Sequence, residues 1–313
     1  MVEILDSTLR EGEQTPGVKF TLEQKLDIAL MLDEFGVDFI EAGHPAVSKD
    51  VMKAVKEIVG QNLNARILAH SRAKREDIDA VVESGAEWIG IFLGVNECSL
   101  KHKLHCSRED AFEMVADSVE YAKSNGLKVR YTPEDATRTR LEDLIGVGSI
   151  AIDAGADRIS IADTVGVMTS SRMYRLISCL KKKLKTGLNV HCHNDFGMAV
   201  ANSLAAYEAG VKLIDVTVNG LGERTGIAPL HKVCVALHHL YGDDGWNLEM
   251  LPGISHKVAE YSKIPIHPRM PLLGEHAFTH TADLHVKAVL GNPECYEPIS
   301  PKEIGLSRTI SYT

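Results

Sequence analysis

The sequence predicts a (β/α)8 barrel, the TIM barrel fold, with a short C-terminal capping subdomain. Short β-rich runs alternate with amphipathic helical segments eight times, glycine follows most of the helices, and polar residues gather after the predicted strands. Strands that alternate with helices form parallel βαβ units, and eight units over about 240 residues suit a closed barrel. A doubly wound open sheet is the alternative, but it calls for a G-x-G-x-x-G turn after the first strand, which the sequence lacks.

The predicted strands are short, apolar and rich in β-branched residues. In chain order they are residues 2–6, 36–41, 65–70, 85–92, 126–131, 155–161, 187–193 and 210–218. The amphipathic segments between them predict helices. These are residues 21–35, 48–59, 75–84, 107–124, 140–154, 170–184, 197–209 and 227–240. Glycine begins six of the eight strands, where it suits the left-handed cap that ends the preceding helix.

The composition changes after Tyr241. Residues 242–251 have the composition of a linker, 252–262 predict a last helix, and 264–271 are rich in proline. A segment with several histidines follows at 274–296. We therefore expect a catalytic barrel over residues 1–262 and a C-terminal linker and capping segment over residues 263–313.

The bulk composition excludes several classes of protein. The 313 residues carry a net charge of −9, which disfavours a nucleic-acid binder. Six cysteines without a C-x-x-C pair indicate free thiols in a reducing compartment. The sequence has no apolar run of membrane-spanning length, and a strand is predicted from Val2 without an apolar leader. We expect a cytoplasmic protein without a membrane or nucleic-acid partner.

Charged and polar residues suited to catalysis or binding follow the carboxyl ends of the predicted strands, where barrel enzymes carry their active sites. They are Arg10, Glu11 and Gln14; Glu41 and His44; His70; Lys101, His102 and His105; Glu134 and Asp135; Asp163 and Thr164; His191 and His193; and Asn219, Glu223 and Arg224. The loops at the opposite end are short and consist mostly of glycine, alanine, valine or aspartate. This asymmetry predicts an enzyme, and a non-catalytic metal-binding barrel is the weaker alternative.

His191 and His193 are the best candidates for a metal site. Side chains two apart on a strand point to the same face, so both imidazoles can reach one ion. Zinc, manganese and iron accept imidazole ligands and need a carboxylate to complete the set. The turn at 6–14 after the first strand combines acid, arginine and amide groups. The alternative is that both histidines are ordinary polar residues at a strand end.

Several motifs together resemble the metal-dependent, barrel-based Claisen-condensing acyltransferases, which include the 2-isopropylmalate, citramalate and homocitrate synthases and related lyases. They are DSTLREGEQTPG (6–17), EAGHP (41–45), SIADTVG (160–166), HCHND (191–195), NGLGERTG (219–226) and AFTHTADLHVKAVLGNPECY (277–296). The resemblance implies metal ligation by Glu11, His191 and His193, with Asn219 as a further candidate. It also implies a homodimer in which the tail segment of one subunit caps the barrel of its partner.

The resemblance implies catalytic roles as well. Arg10 would face the keto oxygen of a 2-oxo acid, and Thr164 would hold its α-carboxylate. Glu134, His285 and Tyr296 would form the proton-transfer group, with His285 as the base oriented by Glu134. The tail departs from the family pattern HKAGxH, because it reads His280-Thr-Ala-Asp-Leu-His285. The chain stops at Thr313, before the regulatory domain of many relatives, so we expect no feedback control through such a domain.

Within this family the chain resembles the homocitrate synthases most, because Glu11 follows Arg10, residues 223–230 read ERTGIAPL, and the tail reads AFTHxAxxHxKAVLxNPxxY. The implied reaction condenses acetyl-CoA with 2-oxoglutarate to homocitrate and CoA, in lysine biosynthesis. A 2-oxoglutarate site needs cations or donors for the distal carboxylate. The candidates for substrate contact are Gln14, His70, Arg72, Lys101 and His105.

Other acceptors and metals remain open at this point. An apolar pocket would favour a 2-isopropylmalate or citramalate synthase, and turnover of oxaloacetate would indicate a Re-type citrate synthase. Cleavage of an acyl-CoA without a 2-oxo acid would indicate a related lyase. Magnesium, manganese and zinc are all candidates for the divalent ion.

Overall fold

The computed structural model describes residues 2–311, and its main body is a closed barrel of eight parallel strands in sequence order. The strands are β1 (Glu3–Asp6), β2 (Phe39–Gly43), β3 (Arg66–Arg72), β4 (Trp88–Phe92), β5 (Lys128–Thr132), β6 (Arg158–Asp163), β7 (Gly187–Cys192) and β8 (Leu213–Val216). β1 pairs with both β2 and β8, which closes the sheet. The predicted (β/α)8 barrel is confirmed.

One helix follows each strand of the barrel. They are α1 (Leu22–Phe35), α2 (Lys49–Val59), α3 (Arg75–Ser84), α4 (Arg108–Ser124), α5 (Leu141–Asp153), α6 (Ser170–Lys183), α7 (Ala199–Ala209) and α8 (Leu230–Tyr241). A further helix, α9, spans Leu251–Ser262. α1 and α4 begin with capping boxes, in which Thr21 and Ser107 satisfy backbone donors of the first turn.

The connections that end the helices explain why most strands begin later than predicted. Gly36 adopts φ 100° after α1, and its N–H bonds back to the carbonyls of Leu32 and Asp33. The chain uses this glycine and the next two residues to leave the helix, so β2 starts at Phe39. Gly187 differs from the predicted role, because it is the first residue of β7 and does not cap a helix.

Apolar side chains close the amino-terminal end of the barrel. Leu5, Phe39, Leu68, Trp88 and Leu213 form a separate buried cluster inside it. Phe39 and Trp88 meet edge to face, with 5.2 Å between ring centroids, a favourable aromatic geometry. The opposite, carboxyl-terminal end of the strands is therefore the end at which the interior is open to a ligand.

The chain after α9 folds into a small extension. A two-stranded parallel sheet pairs β9 (Thr279–His280) with β10 (Thr309–Ile310), and α10 (Asp283–Gly291) lies between them in sequence. Glu297 is buried and accepts bonds from Arg308 and His280. The backbone at Gly305 packs against Glu249, since an added Cβ would lie 2.5 Å from its carbonyl oxygen.

Among the helices in residues 2–311, we find none that combines the length and the apolar character needed to cross a bilayer.

Candidate active site

Glu11, His191 and His193 come together at the carboxyl end of the barrel. Each offers a ligand atom, these atoms lie within 4.8 Å of one another, and all three residues are buried. The two histidines stand at the end of β7, two residues apart, as their spacing predicts. Glu11 lies in the tight turn after β1, where the amides of Arg10 and Gly12 bond to the carbonyl of Ser7.

Neighbouring groups orient the members of this cluster. His191 Nδ1 lies 3.1 Å from Asp215 Oδ2, which leaves its Nε2 available as a ligand. Glu11 accepts bonds from the amide of Glu223 at 2.9 Å and from the guanidinium of Arg10. His193 Nδ1 is buried and has no hydrogen-bond partner in the described part of the chain. Two imidazoles and one carboxylate, with one ring nitrogen unpaired, fit a divalent cation.

The protonation states also suit a metal site. Burial opposes ionisation of Glu11, but Arg10, His191 and His193 together outweigh it and hold its pKa below the usual value. Burial, reinforced by His191, lowers the pKa of His193 to about 4. At neutral pH the carboxylate is therefore charged and His193 is neutral, which are the forms that bind metal ions.

A chain of buried charges surrounds the cluster. Arg10 donates to Glu41 Oε2 at 2.8 Å, and Arg130 lies between Glu41 and Asp215 with bonds of 3.0–3.1 Å. Asp215 in turn contacts His191. The charges alternate in sign along this chain, so each buried ion has a partner of opposite charge.

The charge network shifts the pKa values of its members. Burial opposes ionisation of Glu41, yet Arg10, His70 and Arg130 keep its pKa well below the usual value. Burial, helped by the charge of Arg10, lowers the pKa of His70 to about 4. His70 is therefore a neutral imidazole at neutral pH, with Nδ1 3.0 Å from Glu41 Oε1.

A cavity of about 370 Å³ opens above this network. Ten residues singled out in the sequence line it, namely Arg10, Glu11, Gln14, His70, Glu134, Thr164, His191, His193, Glu223 and Arg224. It is also lined by Phe92, Lys103, Arg130, Thr132, Ala162 and Asp215. Sequence reasoning missed Arg130 and Asp215 as site residues. The signal available was a charged side chain in an otherwise apolar, inward-facing strand position, which is rare unless the charge is paired.

Three residues expected at the substrate lie off this cavity. Arg72 turns away and donates to both carboxylate oxygens of Asp77 at 2.7 and 2.8 Å. Lys101 and His105 are exposed, and neither is part of the lining. Residues Leu100–Leu104 form a π-helical turn, in which side chains do not follow α-helical spacing. As a result, Lys103 of this turn reaches the cavity in place of Lys101.

The side-chain amide of Asn219 contacts helix α9. Its side-chain amide donates to the carbonyl of Ser255 in α9 at 2.8 Å. The residue has φ 58° in a tight turn after β8, and this turn directs its side chain toward α9. The side-chain oxygen of Asn219 is buried and has no hydrogen-bond partner among residues 2–311, so its role as a further metal ligand stays a prediction.

His285 and Tyr296 meet each other in the C-terminal extension. Their rings stack with centroids 3.9 Å apart and an interplanar angle of 20°. Both side chains are exposed, Tyr296 at 42%. Neither lines the cavity of its own barrel, so within one chain they are not brought to Glu134.

Comparisons with known proteins agree with this architecture. Residues 1–258 match the HMGL-like family, and residues 272–313 match the family described as homocitrate synthase post-HMGL domain-like. The chain is 50% identical to a homocitrate synthase of Pyrococcus horikoshii over 309 residues, which cover 98% of this chain and 85% of the relative. It is 50% identical to homocitrate synthase AksA of Methanopyrus kandleri over 310 residues, which cover 99% and 78%.

Solved structures of more distant proteins share the fold. The HMG-CoA lyase of Bacillus subtilis superimposes with a TM-score of 0.77 at 19% identity, covering 86% of this chain and 96% of that one. The hydroxymethylglutaryl-CoA lyase of Pseudomonas aeruginosa gives 0.74 at 22% identity, covering 83% and 92%. At this identity the likeness supports the fold alone.

Proposed function

The chain belongs to the homocitrate synthases of the HMGL-like family, and we propose that it condenses acetyl-CoA with 2-oxoglutarate to give homocitrate and CoA. The observation that carries the proposal is the convergence of Glu11, His191 and His193 beside Arg10, at the base of a cavity rich in cations and hydrogen-bond donors. The cellular role that follows is lysine biosynthesis in the cytoplasm.

We assign Glu11, His191 and His193 as the ligands of one divalent ion, for which magnesium, manganese and zinc are the candidates. When bound, the ion supplies Lewis-acid polarisation of the 2-oxo acid's carbonyl group. Asp215 holds the ring of His191, and the amide of Glu223 holds the carboxylate of Glu11. These contacts fix the ligands before a substrate arrives, as metal sites require.

Arg10 and Thr164 suit the reacting end of the 2-oxo acid. The guanidinium of Arg10 is held by Glu11 and Glu41 at the cavity wall, where its fixed positive charge would stabilise the alkoxide that forms at the keto carbon. The hydroxyl oxygen of Thr164 accepts a bond from the amide of Asp135 at 2.9 Å. Its proton is therefore free to point elsewhere, and we assign it as a donor to the α-carboxylate.

His70, Arg130 and Thr132 replace Lys101 and His105 as our candidates for the distal carboxylate. The three line the same cavity, and the hydroxyl of Thr132 is buried without a hydrogen-bond partner among residues 2–311. A buried hydroxyl of this kind calls for a partner. Gln14 is exposed at the cavity wall and is a further candidate donor.

This polar lining favours 2-oxoglutarate over the shorter or apolar 2-oxo acids. A site for 2-oxoisovalerate would bury its isopropyl group among apolar side chains, whereas this cavity presents a guanidinium, an imidazole and a hydroxyl. An apolar substrate would leave the buried hydroxyl of Thr132 without a partner, at a cost of about 1–3 kcal/mol. The alternatives of 2-isopropylmalate and citramalate synthesis are disfavoured on this ground.

We propose that proton transfer uses Glu134 of one subunit with His285 and Tyr296 of its partner. Glu134 lies at the cavity wall, while the stacked pair is exposed in the extension of the same chain. A tail exchanged within a homodimer would bring the pair to a barrel. His285 would then take a proton from the acetyl methyl group, and the resulting carbanion would attack the keto carbon. Water would finally cleave the thioester to release CoA.

The test is CoA release from acetyl-CoA with a panel of 2-oxo acids, using enzyme stripped by chelator and then reloaded with one metal at a time. We expect turnover with 2-oxoglutarate only after a divalent ion is restored. Turnover restricted to 2-oxoisovalerate, pyruvate or oxaloacetate would reassign the acceptor. Metal retained at full stoichiometry by the His191→Ala/His193→Ala variant would refute the ligand assignment.

A further inference from the structure

Lys103 differs from the other cations of the cavity lining. Arg10 and Arg130 each contact two carboxylates, and Arg224 donates to both oxygens of Asp195 and to the carbonyl of Thr164. Within the described chain, Lys103 has a single partner, Glu134, at 2.8 Å, and its side chain is 57% exposed. It is therefore the lining cation that can most readily turn toward a substrate.

The backbone beneath Lys103 is anchored, whereas one exposed ion pair holds its ammonium group. The side chain of Asn96 accepts a bond from the amide of Ser99 at 2.8 Å and donates to Asp135 Oδ2 at 2.7 Å. These bonds tie the start of the π-helical turn to the loop that carries Glu134. A long, flexible side chain on a fixed base places a mobile charge at the mouth of the cavity.

The proposed reaction develops negative charge at two oxygens, and only one of them has an assigned donor. Arg10 serves the keto oxygen of the 2-oxo acid. Removal of a methyl proton from acetyl-CoA also places charge on the thioester oxygen, because the electron pair of the broken C–H bond delocalises onto it. A hydrogen-bond donor is needed there for the enolate to form at a useful rate.

We propose that the ε-ammonium of Lys103 donates to the thioester oxygen of acetyl-CoA as the enolate forms, an inference that rests on the proposed condensation. The methyl C–H bond breaks, its proton passes to His285 of the partner tail, and the electron pair moves onto the thioester oxygen. When the carbon attacks the keto group, the thioester carbonyl reforms. Lys103 keeps all its protons throughout. Its link to Glu134 holds the ammonium beside the proton-transfer group before acetyl-CoA enters.

The test compares Lys103→Met and Lys103→Arg with the charge-matched control Lys101→Met, whose side chain lies off the cavity. Loss of one oxyanion donor typically costs about 100- to 1,000-fold in kcat. We expect that loss for Lys103→Met, partial recovery for Lys103→Arg and parental activity for Lys101→Met. Metal content and the KM for 2-oxoglutarate should not change. The isotope effect with deuterated acetyl-CoA should rise, because enolate formation becomes slower.

A double variant separates this role from simple positioning of Glu134. If Lys103 stabilises the enolate, Lys103→Met lowers kcat further in a Glu134→Gln background. If the effect disappears in that background, Lys103 acts only through Glu134 and the inference is overturned. Equal activity of the Lys103→Met and Lys101→Met enzymes overturns it as well. A parent enzyme that releases no CoA with any 2-oxo acid overturns the proposed function, and this inference with it.

Discussion

Arg130 is the shared counterion of two buried carboxylates. Glu41 and Asp215 are 0% and 1% exposed, and Arg130 contacts both. We predict that Arg130→Met destabilises the fold by about 3–5 kcal/mol, because both buried carboxylates would lose the counterion that they share. The measurement is the free energy of unfolding in urea at neutral pH.

The matched control for Arg130 is a surface ion pair. Lys56 contacts Glu83 at 2.8 Å, and the two side chains are 44% and 67% exposed. Lys56→Met should change the free energy of unfolding by less than about 1 kcal/mol, since water already screens that pair. Equal effects of the two substitutions would contradict the importance of the buried network.

Asp6 should make the stability of the protein depend on pH. Burial raises the pKa of Asp6 to about 7, so the folded protein holds a proton that the unfolded chain releases near pH 4. A group whose pKa is raised on folding destabilises the fold progressively as pH rises, here between about 4 and 7. Asp6→Asn keeps the oxygen that accepts from the amide of Thr8 but cannot ionise.

The measurement for Asp6 is the difference in unfolding free energy between the parent and Asp6→Asn across this pH range. We expect the parent to lose stability relative to the variant on going from pH 4 to pH 7. Asp50→Asn, at an exposed helix start, should follow the parent at every pH. Parallel curves for the parent and Asp6→Asn would show that Asp6 does not bind this proton.

The buried carboxylate of Glu297 stabilises the C-terminal extension. It accepts two bonds of 2.6 Å from Arg308 and one of 3.1 Å from His280, which joins the two short strands to the segment after α10. Two-residue strands are too short to be stable alone. We predict that Glu297→Gln raises amide hydrogen exchange in β9 and β10 by about tenfold or more, since charge-assisted bonds contribute about 1.5–3 kcal/mol each.

Exchange in the barrel strands should be unchanged by Glu297→Gln, because the contacts that are lost lie within the extension. Glu294→Gln, at an exposed position three residues earlier, is the matched control and should leave exchange in both elements at the parental level. Uniform loosening of the barrel and the extension would mean that the two unfold as one unit.

The elements that could be predicted from the sequence are those with a repeating pattern. Each barrel helix buries an apolar stripe. Five helices are followed by a glycine in the left-handed conformation, at position 36, 85, 126, 155 or 210. The order and number of the barrel units could therefore be predicted from the periodicity of the sequence. β9, β10 and the π-helical turn carry no such signal. Two residues cannot display alternation, and the irregular turn shifted the cavity-facing lysine from position 101 to position 103.

At the site, local spacing was sufficient for some residues and long-range geometry was needed for others. His191 and His193 were predicted because a strand alone places both on one face. Arg130 and Asp215 meet only after β5 and β8 enter the same closed barrel, 85 residues apart in sequence. Arg72 was misplaced because its partner, Asp77, lies one helix turn beyond the strand and captures the guanidinium.

At the scale of the whole molecule, His285 and Tyr296 act either on the barrel of their own chain or on the barrel of the partner chain. If the tail acts on the partner, a subunit with a disabled barrel can still supply a functional tail. We predict that co-expression of His191→Ala and His285→Ala chains restores activity, although each homodimer is inactive. Random pairing makes about half of the dimers mixed, each with one intact site of two, so about one quarter of parental activity should return.

A second pairing serves as the control for this complementation. His191→Ala and His193→Ala chains both lack a functional barrel, so no arrangement of their tails rebuilds a site, and the mixture should stay inactive. If the His191→Ala and His285→Ala mixture also stays inactive while native mass spectrometry detects mixed dimers, each tail must serve its own barrel. Because the stacked pair of His285 and Tyr296 is exposed and does not line the cavity of its own barrel, we expect the His191→Ala and His285→Ala mixture to recover activity. The fraction of parental activity that returns gives the number of intact sites in each mixed dimer.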